Sequence, residues 1–143
     1  MKVSEYRKTT DVYTYYNPNP REDERKAWDT GDCVVRAFAV AADITWIEAF
    51  DKLAEVARRE FRMINSKDCY RLLFEELGYK YTGCKPVYGK KRMTLAEFCK
   101  KHKKGAYIVD ISNHATAVVN GTCFDTWNCT KKCVCCYWEV RRK

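Results

Sequence analysis

The chain has 143 residues, enough for one domain with a core of its own. Its 46% hydrophobic and 32% charged content is that of a globular protein, and no run approaches the roughly 18–20 apolar residues of a membrane span. The formal charge of +8 is spread over short basic clusters, from Arg58-Arg59 to Arg141-Arg142-Lys143, which favours acidic partners without selecting one.

The segment Met1–Lys8 has no apolar core behind its charges, so no secretory signal is expected and the reading is cytoplasmic. Nine cysteines, an odd number, are then expected as free thiols, most of them acting as small buried hydrophobes. Residues 1–28 read as an aromatic-rich arm and residues 29–143 as a single domain. In the arm, Tyr13, Tyr15 and Tyr16 either pack it onto the domain, the favoured reading, or line a cleft. Its two Asn-Pro steps, Asn17-Pro18 and Asn19-Pro20, impose extended or turning backbone.

Four helix signals follow. The first begins near Asp32, where Asp32 or Thr30 can cap the apolar run Cys33–Ala41. The second opens on the capping box Thr45-Trp46-Ile47-Glu48 and runs to about Phe61. The third spans about Lys67 to Leu77 and stops at Gly78; the fourth starts on the box Thr94–Glu97 and ends in lysines before Gly105. Beyond Gly105 the apolar period becomes two. Strands are expected over Ala106–Ile111, His114–Val119, Cys123–Trp127 and Val134–Val140, with Asn120-Gly121 as a two-residue hairpin turn. Helices followed by an antiparallel sheet make an α+β domain.

That turn fixes a register. Val119 faces Thr122, Val118 faces Cys123, Thr116 faces Asp125 and His114 faces Trp127, so 114, 116, 118, 123, 125 and 127 share one face. His114 and Asp125 are then diagonal neighbours, and a carboxylate on one imidazole nitrogen leaves the other free to act as a base. Asn128 is the alternative orienter, reached only by a break in the ladder. Trp127 is either a lid over the imidazole or an ordinary cross-strand partner. Cys33 supplies the complementary half: a thiol in the first helical turn meets unpaired N–H groups and the positive end of the helix dipole, both of which favour thiolate. The same N–H groups can receive an oxyanion, and Gly31 admits close approach of a substrate.

The blocks Asn17-Pro18-Asn19-Pro20, Gly31-Asp32-Cys33-Val34-Val35-Arg36-Ala37, Gly105-Ala106-Tyr107-Ile108 before His114, Asp125-Thr126-Trp127-Asn128-Cys129 and Tyr137-Trp138 resemble small papain-like proteins of phages and Gram-positive bacteria. The likeness covers roughly residues 15–140. It implies a papain-like fold with N-terminal helices packed on the sheet, and a catalytic triad of Cys33, His114 and Asp125. The expected activity is hydrolysis of a peptide or isopeptide amide through a thioacyl intermediate, with no cofactor and no metal. If the protein is phage-encoded, its place is the host cytoplasm. Papain-type enzymes commonly carry a glutamine about six residues before the cysteine; that position here is Ala27, so Asn17 or Asn19 is the candidate oxyanion donor.

Two rival readings stand beside this one. Cys129, Cys133, Cys135 and Cys136, with Cys123 and His102 as extras, suggest zinc, although their spacing lacks the two separated pairs of a structural site. Basic charge with ten tyrosines and four tryptophans suggests a stacking surface for nucleic acid, or a non-catalytic basic binding protein on the same scaffold.

Overall fold

The computed structural model describes residues 7–21 and 31–142; Thr30 and Ala27 lie outside them. Three of its helices begin where side-chain capping directs. Thr45 and Thr94 each accept from the backbone N–H three residues on, and Glu48 and Glu97 close the two capping boxes of α2 (Trp46–Glu60) and α4 (Leu95–Lys101). Ser66 caps α3 (Lys67–Glu76) through the Cys69 N–H. That helix ends at Gly78, whose φ of 77° lets its N–H reach the Glu75 carbonyl. The first helix, α1 (Cys33–Ala42), differs: Asp32 occupies its N-cap position but gives no side-chain cap.

Six strands form one sheet, β1 (Tyr13–Tyr15), β2 (Lys80–Gly83), β3 (Ala106–Ile111), β4 (His114–Val119), β5 (Thr122–Asp125) and β6 (Val134–Val140). Their spatial order is β1-β5-β4-β3-β6-β2. The β4–β5 hairpin has the expected register, Val119 opposite Thr122 and Val118 opposite Cys123, across a turn in which Asn120 and Gly121 both take positive φ.

Three expectations are corrected. The sheet is mixed rather than antiparallel, because β1 of the aromatic arm lies parallel to β5. All four helices separate the two strands in sequence, and so long a connection leaves the strand direction free. The edge strand β2, antiparallel to β6, had no counterpart in the sequence reading. Finally, β5 stops at Asp125, because the Asp125 carboxylate accepts from the next backbone N–H, Thr126, at 2.6 Å and turns the chain out of the sheet. The ladder pairs of Thr116 with Asp125 and His114 with Trp127 therefore do not form.

The period-two alternation divides the core between the two sheet faces. Ile108, Ala115, Ala117 and Trp138 meet α1, α2 and α3 on one face. Val109, Val118, Cys123 and Tyr13 pack with α4 on the other. Fully buried Phe38 and Phe74, 5.3 Å apart, anchor the first layer, each removing apolar surface that contributes about 1.5–3 kcal/mol. Among the described residues, no helix is long and apolar enough to cross a membrane.

Candidate active site

The N-terminus of α1 and the start of β4 meet at one end of the sheet, and this junction brings Cys33, His114 and Asp125 together. Cys33 is the first residue of α1 and half-buried. The first intrahelical bond is donated by Arg36 to the Asp32 carbonyl at 2.9 Å. The N–H groups of Cys33, Val34 and Val35 precede it and have no acceptor within the helix. A capping carboxylate would normally take one of them. Asp32 instead accepts from the Asn19 side-chain amide at 2.8 Å, from the Trp46 indole at 2.9 Å and from the Arg36 guanidinium. Its charge is compensated sideways, and among the described residues no acceptor takes the N–H groups around the thiol.

His114 follows the tight β3–β4 turn at Ser112-Asn113 and pairs with Ile111. Its Nε2 lies 2.6 Å from Asp125 Oδ2. The nitrogen left over is Nδ1, and the Cys33 thiol lies near enough to the imidazole for each to shift the other's ionisation. Asp125 is 3% exposed and well satisfied: Oδ1 accepts from the Thr126 N–H and lies 3.5 Å from Arg36 Nη2. Its backbone carbonyl accepts from the Tyr13 hydroxyl and from the Tyr16 N–H, both at 3.0 Å. The arm strand β1 thus braces the carboxylate from behind.

These contacts set the ionisation of the three groups. Burial works to raise the Cys33 thiol, but hydrogen bonds from His114 and the Ala115 backbone, with the His114 and Arg36 charges, outweigh it and hold the thiol below its ordinary value. Burial works to lower the imidazole, yet hydrogen bonds to Asp125, Cys129 and Cys33 carry it up to about 11. Burial would also raise Asp125; the His114 hydrogen bond and the His114 and Arg36 charges bring it below the usual carboxylate range. These contacts push the three groups toward thiolate, imidazolium and carboxylate.

The remaining candidates fall as follows. Asn19 spends its amide on Asp32, and its Oδ1 accepts from the Arg21 N–H at 2.9 Å; Asn17 Oδ1 accepts from the Asn19 N–H at 3.0 Å. Both asparagines hold turns, and Asn19 sits one residue from the thiol through Asp32. Asn128 Oδ1 accepts from Thr130 at both its N–H and its hydroxyl, a turn rather than a bond to His114. Trp127, in the turn after β5, lies with its ring 5.1 Å from that of His114.

Of the zinc-suggesting residues, Cys123 and Cys129 approach each other, at 3.9 Å between sulfurs, and Cys135, Cys136 and His102 lie elsewhere. Cys136 is buried in the α1–α3 core, Cys135 lies beside Arg92, and His102 stacks on Phe98. Among the described residues, the group whose ligand atoms come together, within 4.8 Å, is His114, Asp125 and Cys129, and these three could hold a metal ion.

Two contributors escaped the sequence reading. Arg36 was noted only as part of a motif, yet it bridges Asp32 on its own helix and Asp125 on β5. The available signal was a lone arginine inside an apolar helical run, one turn after an aspartate. Cys129 was given a role only as a zinc candidate, beyond its place in a motif block, and it puts its thiol 3.6 Å from Asp125 Oδ2 and 3.9 Å from the Cys123 sulfur. No protein-family model, curated protein or solved structure matches this chain.

Proposed function

We propose that this protein is a papain-like cysteine-nucleophile hydrolase acting on a peptide or isopeptide amide. The observation that carries the reading is Cys33 at the N-terminus of α1 beside His114, whose Nε2 lies 2.6 Å from Asp125 Oδ2. The Cys33 thiolate attacks the carbonyl carbon. The oxyanion that forms is received by the N–H groups at the start of α1. The His114 imidazolium then protonates the leaving amine, a thioester remains on Cys33, and water activated by His114 releases the acid. Asp125 keeps the imidazole oriented through both steps. A cytoplasmic and phage-related setting belongs to this proposal through the resemblance of the motif blocks.

The test is site-resolved alkylation of Cys33 with iodoacetamide from pH 5 to 9, on the native protein and on His114→Ala. Cys33 is expected to react well below the ordinary thiol range near 8.5, and the variant to lose about tenfold to a hundredfold in rate at pH 6. An ordinary pH profile for Cys33 in the native protein would refute this reading. With a substrate in hand, Cys33→Ala abolishes turnover, and Asp125→Ala lowers it less than His114→Ala does.

A non-catalytic binding role is the second reading, favoured by one observation: the net charge of +8, carried in basic clusters from Arg58-Arg59 to Arg141-Arg142-Lys143. Binding of nucleic acid would weaken steeply with salt.

A further inference from the structure

The proposed hydrolysis leaves unexplained where the chain gathers its charge. Residues 78–96 hold five Lys or Arg and no Asp or Glu, so this stretch carries more than half of the net charge of +8. Along α2, by contrast, Glu48, Asp51 and Glu55 stand among Lys52, Arg58 and Arg59. A solvated face mixes its signs in that way, and a stretch of one sign suits a partner of the other.

The five cations sit on β2 and on the loop that joins it to α4. Both stems of the loop are fastened to the start of β6: the Cys84 N–H donates to the Cys135 carbonyl at 3.0 Å, and the Val134 N–H donates to the Met93 carbonyl at 2.9 Å. Between the stems, residues 85–91 are exposed. One turn shapes the tip. The Lys90 N–H reaches the Val87 carbonyl at 2.9 Å, and Gly89 supplies the positive φ, 78°, that the third position of a type II turn requires. Tyr88 stands at the corner of that turn, 105% exposed, with both faces of its ring in solvent.

Lys85, Lys90, Lys91 and Arg92 flank the ring, and among the described residues none of them makes an ion pair. Lys80 is set aside, because Glu139 lies opposite it in the β2–β6 ladder. A second aromatic continues the edge: Tyr81 on β2 is 44% exposed, with the Arg71 guanidinium 5.0 Å from its ring centre. Seven positions separate the two tyrosines, so their Cα atoms lie at most about 25 Å apart.

We infer that the β2–α4 loop is a docking surface for single-stranded nucleic acid, with Tyr88 stacking on a base and its four cations neutralising the phosphates alongside. A free ring among unpaired cations matches a strand whose bases and phosphates alternate, and the contact tolerates any sequence because every base has a π face. An acidic peptide would use the cations and leave Tyr88 idle. A lipid surface binds in proportion to the apolar area buried in it, and Val87 and Tyr88 are the large apolar side chains exposed on this loop. The surface does not depend on Cys33 being a nucleophile.

The experiment follows the fluorescence anisotropy of labelled oligo-dT and oligo-rU, each of about 12 nucleotides, with the full chain at about 50 and 200 mM salt. Neutralising four phosphates predicts a loss of about fiftyfold in affinity between those salts. Tyr88→Ala is expected to weaken binding about tenfold at either salt, while Tyr88→Phe keeps it. Tyr88 is unburied, so its variants keep the fold. Replacing Lys90 and Lys91 with Gln is expected to flatten the log–log salt slope by about 1.4. The charge-matched control replaces Lys103 and Lys104 with Gln. These precede β3 at the end of the sheet opposite the loop, since β3 and β6 are antiparallel, and the control leaves the slope unmoved. Tighter binding of dT or of rU names the sugar preferred, and either supports the surface. An affinity unmoved by Tyr88→Ala, or equal losses in the two double variants, would overturn it and leave only bulk charge. Binding to phosphatidylserine vesicles or polyglutamate with none to either oligonucleotide would overturn it as well. Neither result touches the hydrolase reading, which stands or falls on Cys33 alkylation.

Discussion

Two aspartates are buried almost equally in this protein and meet opposite fates. Asp125, on β5, is 3% exposed; Asp110, on β3 and facing α1–α3, is 5% exposed. Asp125 has His114 on one oxygen, and Arg36 and the Thr126 N–H on the other, and its pKa is lowered. Asp110 takes the Tyr70 hydroxyl at 2.8 Å and, on the same oxygen, the half-exposed Lys67 at 3.6 Å. Its Oδ1 is buried without a partner, and its pKa is raised, burial outweighing those contacts. Burial alone pushes a carboxyl up. Whether a site stays ionised is decided by cations and N–H donors supplied to both oxygens.

The largest effects come from breaking the satisfied aspartate. Asp125→Ala takes the carboxylate from a buried imidazole and leaves the buried Arg36 guanidinium with Asp32 alone. It is expected to cost about 3–5 kcal/mol of stability, read from urea unfolding at pH 7. The same variant moves the pH profile of Cys33 alkylation toward that of an ordinary thiol, because His114 no longer holds its proton so firmly. Arg36→Met follows, at about 3 kcal/mol, since it removes the cation shared by Asp32 and Asp125 while keeping the apolar stem. A loss under about 1 kcal/mol in Arg36→Met would show that the two carboxylates are compensated without it.

The acid limb of stability tests the sign. A carboxyl whose folded pKa is depressed contributes stability that is present above its unfolded value near 4 and is lost as pH falls through the folded value. The native protein is therefore expected to lose stability below pH 4 more steeply than Asp125→Asn, whose side chain does not titrate. Unfolding curves at pH 3, 4 and 5 measure the difference. Parallel curves would mean that Asp125 titrates alike in the folded and unfolded chain.

How much of this contrast was legible beforehand depends on how far the partners lie along the chain. The nearness of His114 to Asp125 was legible from a two-residue turn and a period of two, local signals that fix the register from Thr122 to Phe124, although the ladder stops before it reaches either residue. Cys33 was legible as a helix start because a glycine and an aspartate precede an apolar run. Arg36 was not, because the carboxylate that draws it inward is 89 residues away. The strand β1 was hidden for the same reason: three residues of an aromatic arm pair with β5, more than a hundred positions later. Edge strand β2 alternates weakly, with its four residues mostly exposed, so no apolar period marks it. Asp32 read as a cap by its position, and it became a counter-ion because Arg36, Trp46 and Asn19 compete for the same oxygens.

The smallest effect sharpens the comparison from its other side. Asp110→Asn removes a charge that the fold holds at a disadvantage, while an amide oxygen can still accept from the Tyr70 hydroxyl. The lost partner, Lys67, is half-exposed, and such an ion pair contributes little. At pH 7 the variant is expected to equal or exceed the native protein, by up to about 1 kcal/mol. The sign of the pH dependence opposes that of Asp125. With its folded pKa raised, Asp110 weakens the native protein as pH rises from about 4 through the folded value, so the advantage of Asn grows over that window and vanishes below it. Unfolding of both proteins at pH 4 and pH 7 is the measurement. A variant less stable than the native protein at pH 7 by 2 kcal/mol or more would mean that the Asp110 charge is needed where it lies, and that burial with one orphaned oxygen does not separate the two aspartates.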